Sequence, residues 1–220
     1  MSPATTSKAT LPEGDLRERV LAAALELLEK EGLSALSMRE VARRAGVSHQ
    51  APYHHFESRE DILAAIAQEG FVLLEKGIAE ARGGAKNALD ACERAGIAYV
   101  TFALQHPAHF RLMFRPELVD VKAHQEAVDC GGRAFAHVPA MVQDLVTQGL
   151  PAEPSLEALV ALTWSSVHGL ACLLLDGPLG AILPELAANP ERGVREIMGA
   201  LRSLMAHASA SPKRTPRRGR

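Results

Sequence analysis

Residues 37–56, S-M-R-E-V-A-R-R-A-G-V-S-H-Q-A-P-Y-H-H-F, constrain the fold more tightly than any other stretch of the chain. Ser37 is placed to cap a short helix through its hydroxyl, and Glu40, three residues on, to return a bond to the cap amide. Met38, Val41, Ala42 and Ala45 share one face of that helix, and Arg39 and Arg43 lie on another. Gly46 supplies the positive φ that ends a helix, Val47 the apolar contact of the turn, and Ser48 a cap for the next helix. Two helices joined this closely cannot lie antiparallel. They cross steeply, the arrangement of a helix-turn-helix whose second helix enters the major groove of DNA.

The second helix carries His49, Gln50, Tyr53 and His54 where a solvated helix would carry Glu and Lys. None is acidic, so this face can approach phosphates and base edges. Between residues 37 and 59 four arginines stand against two glutamates, a surplus of two positive charges on a chain whose net charge is −2. DNA contact must therefore come from a local patch and not from a basic chain. Gln50 is the best placed side chain for direct readout, because its amide can pair with both edge atoms of adenine.

Helical periodicity runs through the rest of the 220 residues. Asp15 with Glu18 reads as a capping box for a first helix reaching residue 31, with Gly32 as its stop. Ser58 with Asp61 starts a long helix ending near Gly83, whose beginning closes the first domain and whose end leads into a second. A helix over 87–106 stops at Pro107, a short element follows over 108–114, and a further pattern over 116–149 is interrupted at Gly131 and Gly132, with Pro139 a second candidate break. Residues 158–175 contain no Lys, Arg, Asp or Glu. That is a membrane-span length, but Thr163, Ser165, Ser166, His168 and Gly169 sit mid-run and no basic anchor flanks it, so a buried or interface helix is the better account. Residues 176–184 read as a turn, and Asn189 with Pro190 begins a last helix. Cys92, Cys130 and Cys172 form an odd set without C-x-x-C spacing, which fits free thiols in a reducing cytoplasm. The histidines lack matching carboxylate or thiolate ligands, and phosphate loops, nucleophile elbows and zinc motifs are absent, so no metal, cofactor or catalytic residue is assigned.

The run G-V-S-H-Q-A-P-Y-H-H-F-E-S-R-E-D-I-L resembles the end of the DNA-binding domain of TetR-family transcriptional regulators, whose pattern is roughly G-V-S-x-x-T-hydrophobic-Y-x-H-F-x-x-K-x-x-L. The likeness covers residues 15–71. Two positions depart from it: Ala51 stands where the family usually has Thr or Ser, and Pro52 where it has Leu. W-S-S-V-H-G at 164–169 and H-P-A-H-F-R-L-M-F at 106–114 resemble the C-terminal domain of a TetR subgroup named for its Trp, His and Gly. The resemblance implies an all-α fold of about nine helices. Its parts are a disordered arm over 1–14, a DNA-binding domain over 15–60, a ligand-binding and dimerisation domain over 61–208 and a basic tail over 209–220. It further implies a cytoplasmic homodimer on a palindromic double-stranded operator, a repressor released by a small apolar or aromatic effector. Arg39, Ser48, Tyr53 and Arg59 are expected on phosphates, with His49, Gln50, Ala51 and His54 in the groove. Phe102, His109, Phe110, Met113, Phe114, Trp164 and His168 are expected around the effector; Trp164 and His168, four apart on one helix face, read either as a core Trp with a hydrogen-bonded core His, the better account for Trp164, or as a wall of the ligand pocket. The alternatives are a small-molecule-binding protein that has lost DNA binding and a helical enzyme.

Overall fold

The computed structural model describes residues 13–115, 117–118, 124–153 and 155–210. Most of the two expected terminal arms lies outside them. Among the described residues the fold is entirely helical: α1 (Glu13–Lys30), α2 (Met38–Arg44), α3 (Arg59–Arg82), α4 (Ala88–Gln105), α5 (Pro107–Met113), α6 (Gln125–Thr147), α7 (Leu156–Leu175), α8 (Pro178–Ile182), α9 (Pro184–Ala188) and α10 (Pro190–Ala210). Short 3-10 turns occupy Leu33–Ala35 and Ala51–His54.

Local sequence explains most boundaries. Ser58 and Asp61 form the reciprocal box at the head of α3, Asp61 N–H donating to Ser58 Oγ at 3.2 Å and Ser58 N–H to Asp61 Oδ2 at 2.9 Å. Asn87, Ser155 and Asn189 cap α4, α7 and α10 through side-chain oxygens in the same position. Gly32 and Gly46 hold φ of 79° and 67°, where a side chain would strain the backbone.

Four expectations are corrected. The first helix begins at Glu13, so Asp15 lies inside its first turn and is not its cap. At α2 only half of the capping box forms: Ser37 Oγ accepts from Glu40 N–H, but the Glu40 carboxylate turns to Arg43. Nor is α6 interrupted; it runs through Gly131, Gly132 and Pro139. Its buried stripe of Ala127, Cys130, Ala134, Met141, Val142 and Leu145 outweighs one lost backbone bond and the local glycine penalty. Residues 176–184 are not a bare turn, since α8 and α9 each begin at a proline, which is preset for a helix start.

The chain folds around two main cores. The first packs Val20, Ala24 and Leu27 of α1 against Val41, Phe56 and the head of α3, including Ile62, Leu63 and Ile66. The second gathers Leu74, Ile78, Val100, Phe102, Phe110, Met113, Val167, Leu170, Val194 and Met198. Each fully buried Leu or Ile contributes about 1.5–3 kcal/mol relative to exposure. The 24-residue α3 belongs to both cores, so the two share one rigid rod. Helix α5 is shared as well: its Leu112 enters the first core, its Phe110 and Met113 the second.

Candidate DNA-reading turn and ligand cavity

The reading element is a 3-10 turn over Ala51–His54, shorter than the α-helix expected from Ser48. In an α-helix the amide of residue 52 would donate to the Ser48 carbonyl, and Pro52 has no N–H to give. That carbonyl instead accepts the Ala51 N–H at 3.0 Å, and Tyr53 and His55 continue the three-residue spacing onto Gln50 and Pro52. The proline ring itself is fully buried and anchors the turn from below.

Around this turn Ser48, His49, Gln50, Tyr53 and His54 are exposed, and Ala51 is half-buried. The His49 and Tyr53 rings stand 6.1 Å apart. Arg39 is exposed and has no ion-pair or hydrogen-bond partner among the described residues. The other arginines are committed elsewhere. Arg43 is forked onto Glu40, at 2.8 Å from Nε and 2.5 Å from a terminal nitrogen. Arg44 bridges to Glu26 at 3.2 Å and to Glu31. Arg59 does not reach outward as expected: its guanidinium donates to the Leu33 carbonyl at 2.9 Å and its Nε is buried without a partner among the described residues. Its half-buried position beneath the first core draws it inward, where it ties the head of α3 to the 33–35 turn. Arg19, unremarked in the sequence, donates to the Ala45 carbonyl at 2.5 Å and so closes the end of α2. The local positive surplus is thus smaller than the count of arginines.

Between α3, α4, α6 and α7 lies a cavity of about 380 Å³. Phe71, Leu74 and Ile78 come from α3, Tyr99 from α4, Val128, Gly131, Gly132, Phe135 and Val138 from α6, Trp164 from α7, and Phe114 follows α5. Phe114 and Trp164 were expected there. His168 stands one layer behind, its Nδ1 2.9 Å from the Tyr99 hydroxyl and its ring 4.7 Å from Phe114 and 5.3 Å from Phe110. Burial lowers the His168 pKa and raises that of Tyr99, so both are neutral near pH 7.

Phe102, His109 and Met113 are not in the cavity wall. Phe102 stacks near His106, with ring centroids 5.2 Å apart. Met113 and His109 face Gly70 on α3. His109 is 3% exposed, both ring nitrogens lack hydrogen-bond partners among the described residues, and Glu69 Oε2 is 3.8 Å from its Nε2. Burial lowers its pKa, with Glu69 opposing. Sequence reasoning missed Phe71, Tyr99 and Phe135. Its available signal was the Gly131–Gly132 pair, because a Cβ at Gly131 would stand 3.3 Å from Phe71 Cζ.

A glycine-turned helix pair with an acid-free exposed turn, mounted on a larger helical body, defines the class of helix-turn-helix DNA-binding regulators. Sequence comparison is specific: residues 20–66 match the model for bacterial regulatory proteins of the tetR family, and residues 92–201 that for the tetracyclin repressor-like C-terminal domain. The chain belongs to the tetR family and is a DNA-binding transcriptional regulator. It is 30% identical over 109 residues to the HTH-type transcriptional activator FasR of Mycolicibacterium smegmatis, a match spanning half of each chain. To an uncharacterised HTH-type regulator of Mycobacterium tuberculosis it is 26% identical, over 76% of this chain and 73% of that one. Among solved structures, a protein of unknown function from Rhodococcus superposes with a TM-score of 0.74 at 28% identity, covering 94% of this chain and 100% of that one. The TetR regulator PfmR of Thermus thermophilus shares the fold, with a TM-score of 0.66 at 20% identity, covering 88% of this chain and 100% of that one.

Proposed function

We propose that the protein is a cytoplasmic homodimeric repressor that holds a near-palindromic operator and releases it when a small apolar or aromatic effector enters the Trp164 cavity. The observation that carries this reading is the sharing of α5 between the two cores. Phe110 touches the ring of His168 behind the cavity wall, and Leu112, two residues on, lies in the core that supports the reading turn. A shift of α5 therefore acts on both. FasR is named an activator; release from DNA would switch either kind of regulator, with the sign set by where the operator lies.

The division of labour follows the cores, with DNA binding up to the middle of α3 and effector binding and dimerisation beyond it. Gln50, His49 and His54 face bases, and Arg39, Ser48 and Tyr53 hold phosphates; Arg59 is withdrawn from that set. The second copy covers the apolar faces of α7 and α10, where Leu162, Leu173 and Leu204 are 60%, 44% and 70% exposed. A two-fold dimer presents two reading turns, so half-sites stand about one helical turn, or a multiple, apart.

The test titrates an effector with and without operator DNA while following the emission of Trp164, the only tryptophan. Coupling of about 1–3 kcal/mol changes affinity roughly 5–150-fold, and by reciprocity operator weakens effector binding by the same factor. An effector that releases DNA yet binds equally in both titrations refutes the mechanism. A Gln50→Ala variant that keeps full preference for its upstream DNA refutes the readout assignment; the expected loss is about 1–3 kcal/mol at one base position.

A further inference from the structure

We infer that the Trp164 cavity selects an uncharged ligand and rejects acids and ammonium ions of the same body. The inference rests on the effector-site reading above and adds a rule of charge to it. Among the described residues no Asp, Glu, Lys or Arg contributes to the wall. Its side-chain polar atoms are the Tyr99 hydroxyl and the Trp164 indole N–H. The hydroxyl is already committed to His168 Nδ1 at 2.9 Å. His168 is in turn enclosed by Phe110, Phe114 and Trp164 at ring distances of 5.3, 4.7 and 5.8 Å. Val128 and Phe135 leave the mouth open to water, but an anion carried past them to Tyr99 would lose its water and meet no cation, which is the costly way to bury a charge.

Two ionic side chains on the cavity's helices, Glu75 of α3 and Arg133 of α6, do not change this. Arg133 and Glu75 pair with each other at 3.3 Å, and a second Arg133 nitrogen donates to Cys130 Sγ at 3.0 Å. A cation fares little better, although aromatic rings attract ammonium ions through their faces. The wall rings meet one another edge to face, Phe71 with Phe114 at 80° and Phe135 with Trp164 at 73°. In each pair one face is taken by its neighbour, and among the described residues no carboxylate lines the wall to complete the site. The volume of about 380 Å³ is near the low end of small-molecule sites, so the ligand is one fused ring system or a medium-length chain.

The test uses three probes with one ten-carbon chain: 1-decanol, decanoate and decyltrimethylammonium, each below its aggregation threshold at pH 7.5, on the full chain. Trp164 emission and the thermal midpoint are the two readouts. Decanol is expected to bind at least tenfold more tightly than either ion. An ion within tenfold of decanol overturns the charge rule and leaves the site reading standing. No response to any of the three, in either readout, overturns the site reading as well. Val138→Lys, a substitution at a half-buried wall position, should bring decanoate ahead of decanol. If the order is unchanged in a variant that stays folded, the selectivity does not arise in this cavity and the inference fails.

Discussion

Gly70 lies on α3 where the first core ends and the second begins, and replacing it by alanine sets two effects of known sign against each other. In the middle of a helix, glycine is less favourable than alanine by roughly 0.5–1 kcal/mol, so an unobstructed replacement stabilises. At Gly70 the replacement is obstructed: the added Cβ would lie 2.6 Å from Met113 Sδ and 3.1 Å from both Met113 Cγ and His109 Cβ. The thioether can swing aside, but His109 Cβ is fixed to the backbone of α5 and cannot. Relieving that contact moves α5 as a unit, and overpacking of this kind costs typically 1–3 kcal/mol. The sum is a net loss of about 0–2.5 kcal/mol. Gly77, seven residues along the same helix, has nothing within 4 Å of its virtual Cβ, so Gly77→Ala should gain about 0.5–1 kcal/mol. Urea midpoints at one fixed protein concentration, with unchanged slopes, compare the two variants directly. If Gly70→Ala equals or exceeds Gly77→Ala in stability, the close packing of α5 on α3 is wrong.

Three further outcomes follow from the geometry. Arg59→Ala should lower stability by about 1–3 kcal/mol through the orphaned Leu33 carbonyl and leave the salt dependence of operator binding unaltered, whereas Arg39→Ala should flatten that slope by about one unit; filter binding across salt concentrations separates them. Leu173→Glu places a charge on the exposed apolar stripe of α7 and should produce monomers in sedimentation, with loss of operator affinity; an unchanged profile removes α7 from the interface. His109 and His168 both have folded pKa values lowered by burial below their ordinary 6.5. The unfolded chain therefore binds more protons, and stability is full above about pH 6.5 and falls as pH drops below it. His109→Leu should flatten the decline between pH 7.5 and 5; the same slope in variant and parent would mean that the buried ring does not titrate there.

What could be read in the sequence was whatever local chemistry decides. Caps and glycine turns depend on a few adjacent residues, so the heads of α3, α4, α7 and α10 fall where Ser58, Asn87, Ser155 and Asn189 put them. Where two local signals compete, the outcome is tertiary. Gly131, Gly132 and Pro139 argue for a break in α6, but a buried stripe on one face holds the helix together. Glu40 could return a bond to its cap or reach Arg43, and spacing alone does not rank the two. The cavity was half legible: Phe114 and Trp164 sit in a recognisable motif, but Phe71, Tyr99 and Phe135 come from three other helices and meet only through packing. Arg59 shows the converse error. A basic residue at a helix start reads as an anion contact, and only the fold reveals that a carbonyl 26 residues away has taken its guanidinium.

The proposed coupling between cavity and reading turn would not need a long mechanical path, because α5 is too short to hold its own position. Seven residues form barely two turns, well below the length at which an isolated helix is stable in water. Its place is therefore set by what it packs against: α3 through Gly70, the aromatic cluster through Phe110 and Phe114, and the first core through Leu112. Burial of one large side chain is worth about 1.5–3 kcal/mol, the same order as the coupling a regulator needs. A ligand that repositions Phe114 and Phe110 by displacing their ring contacts changes the best seat for α5, and Leu112 must either follow or lose its burial. Following means pressing on α1 and the head of α3, the two helices that carry the reading turn. Losing burial means loosening the core beneath Pro52. Both outcomes disturb the turn, so the arrangement can transmit an effector's entry without any residue that touches effector and DNA at once.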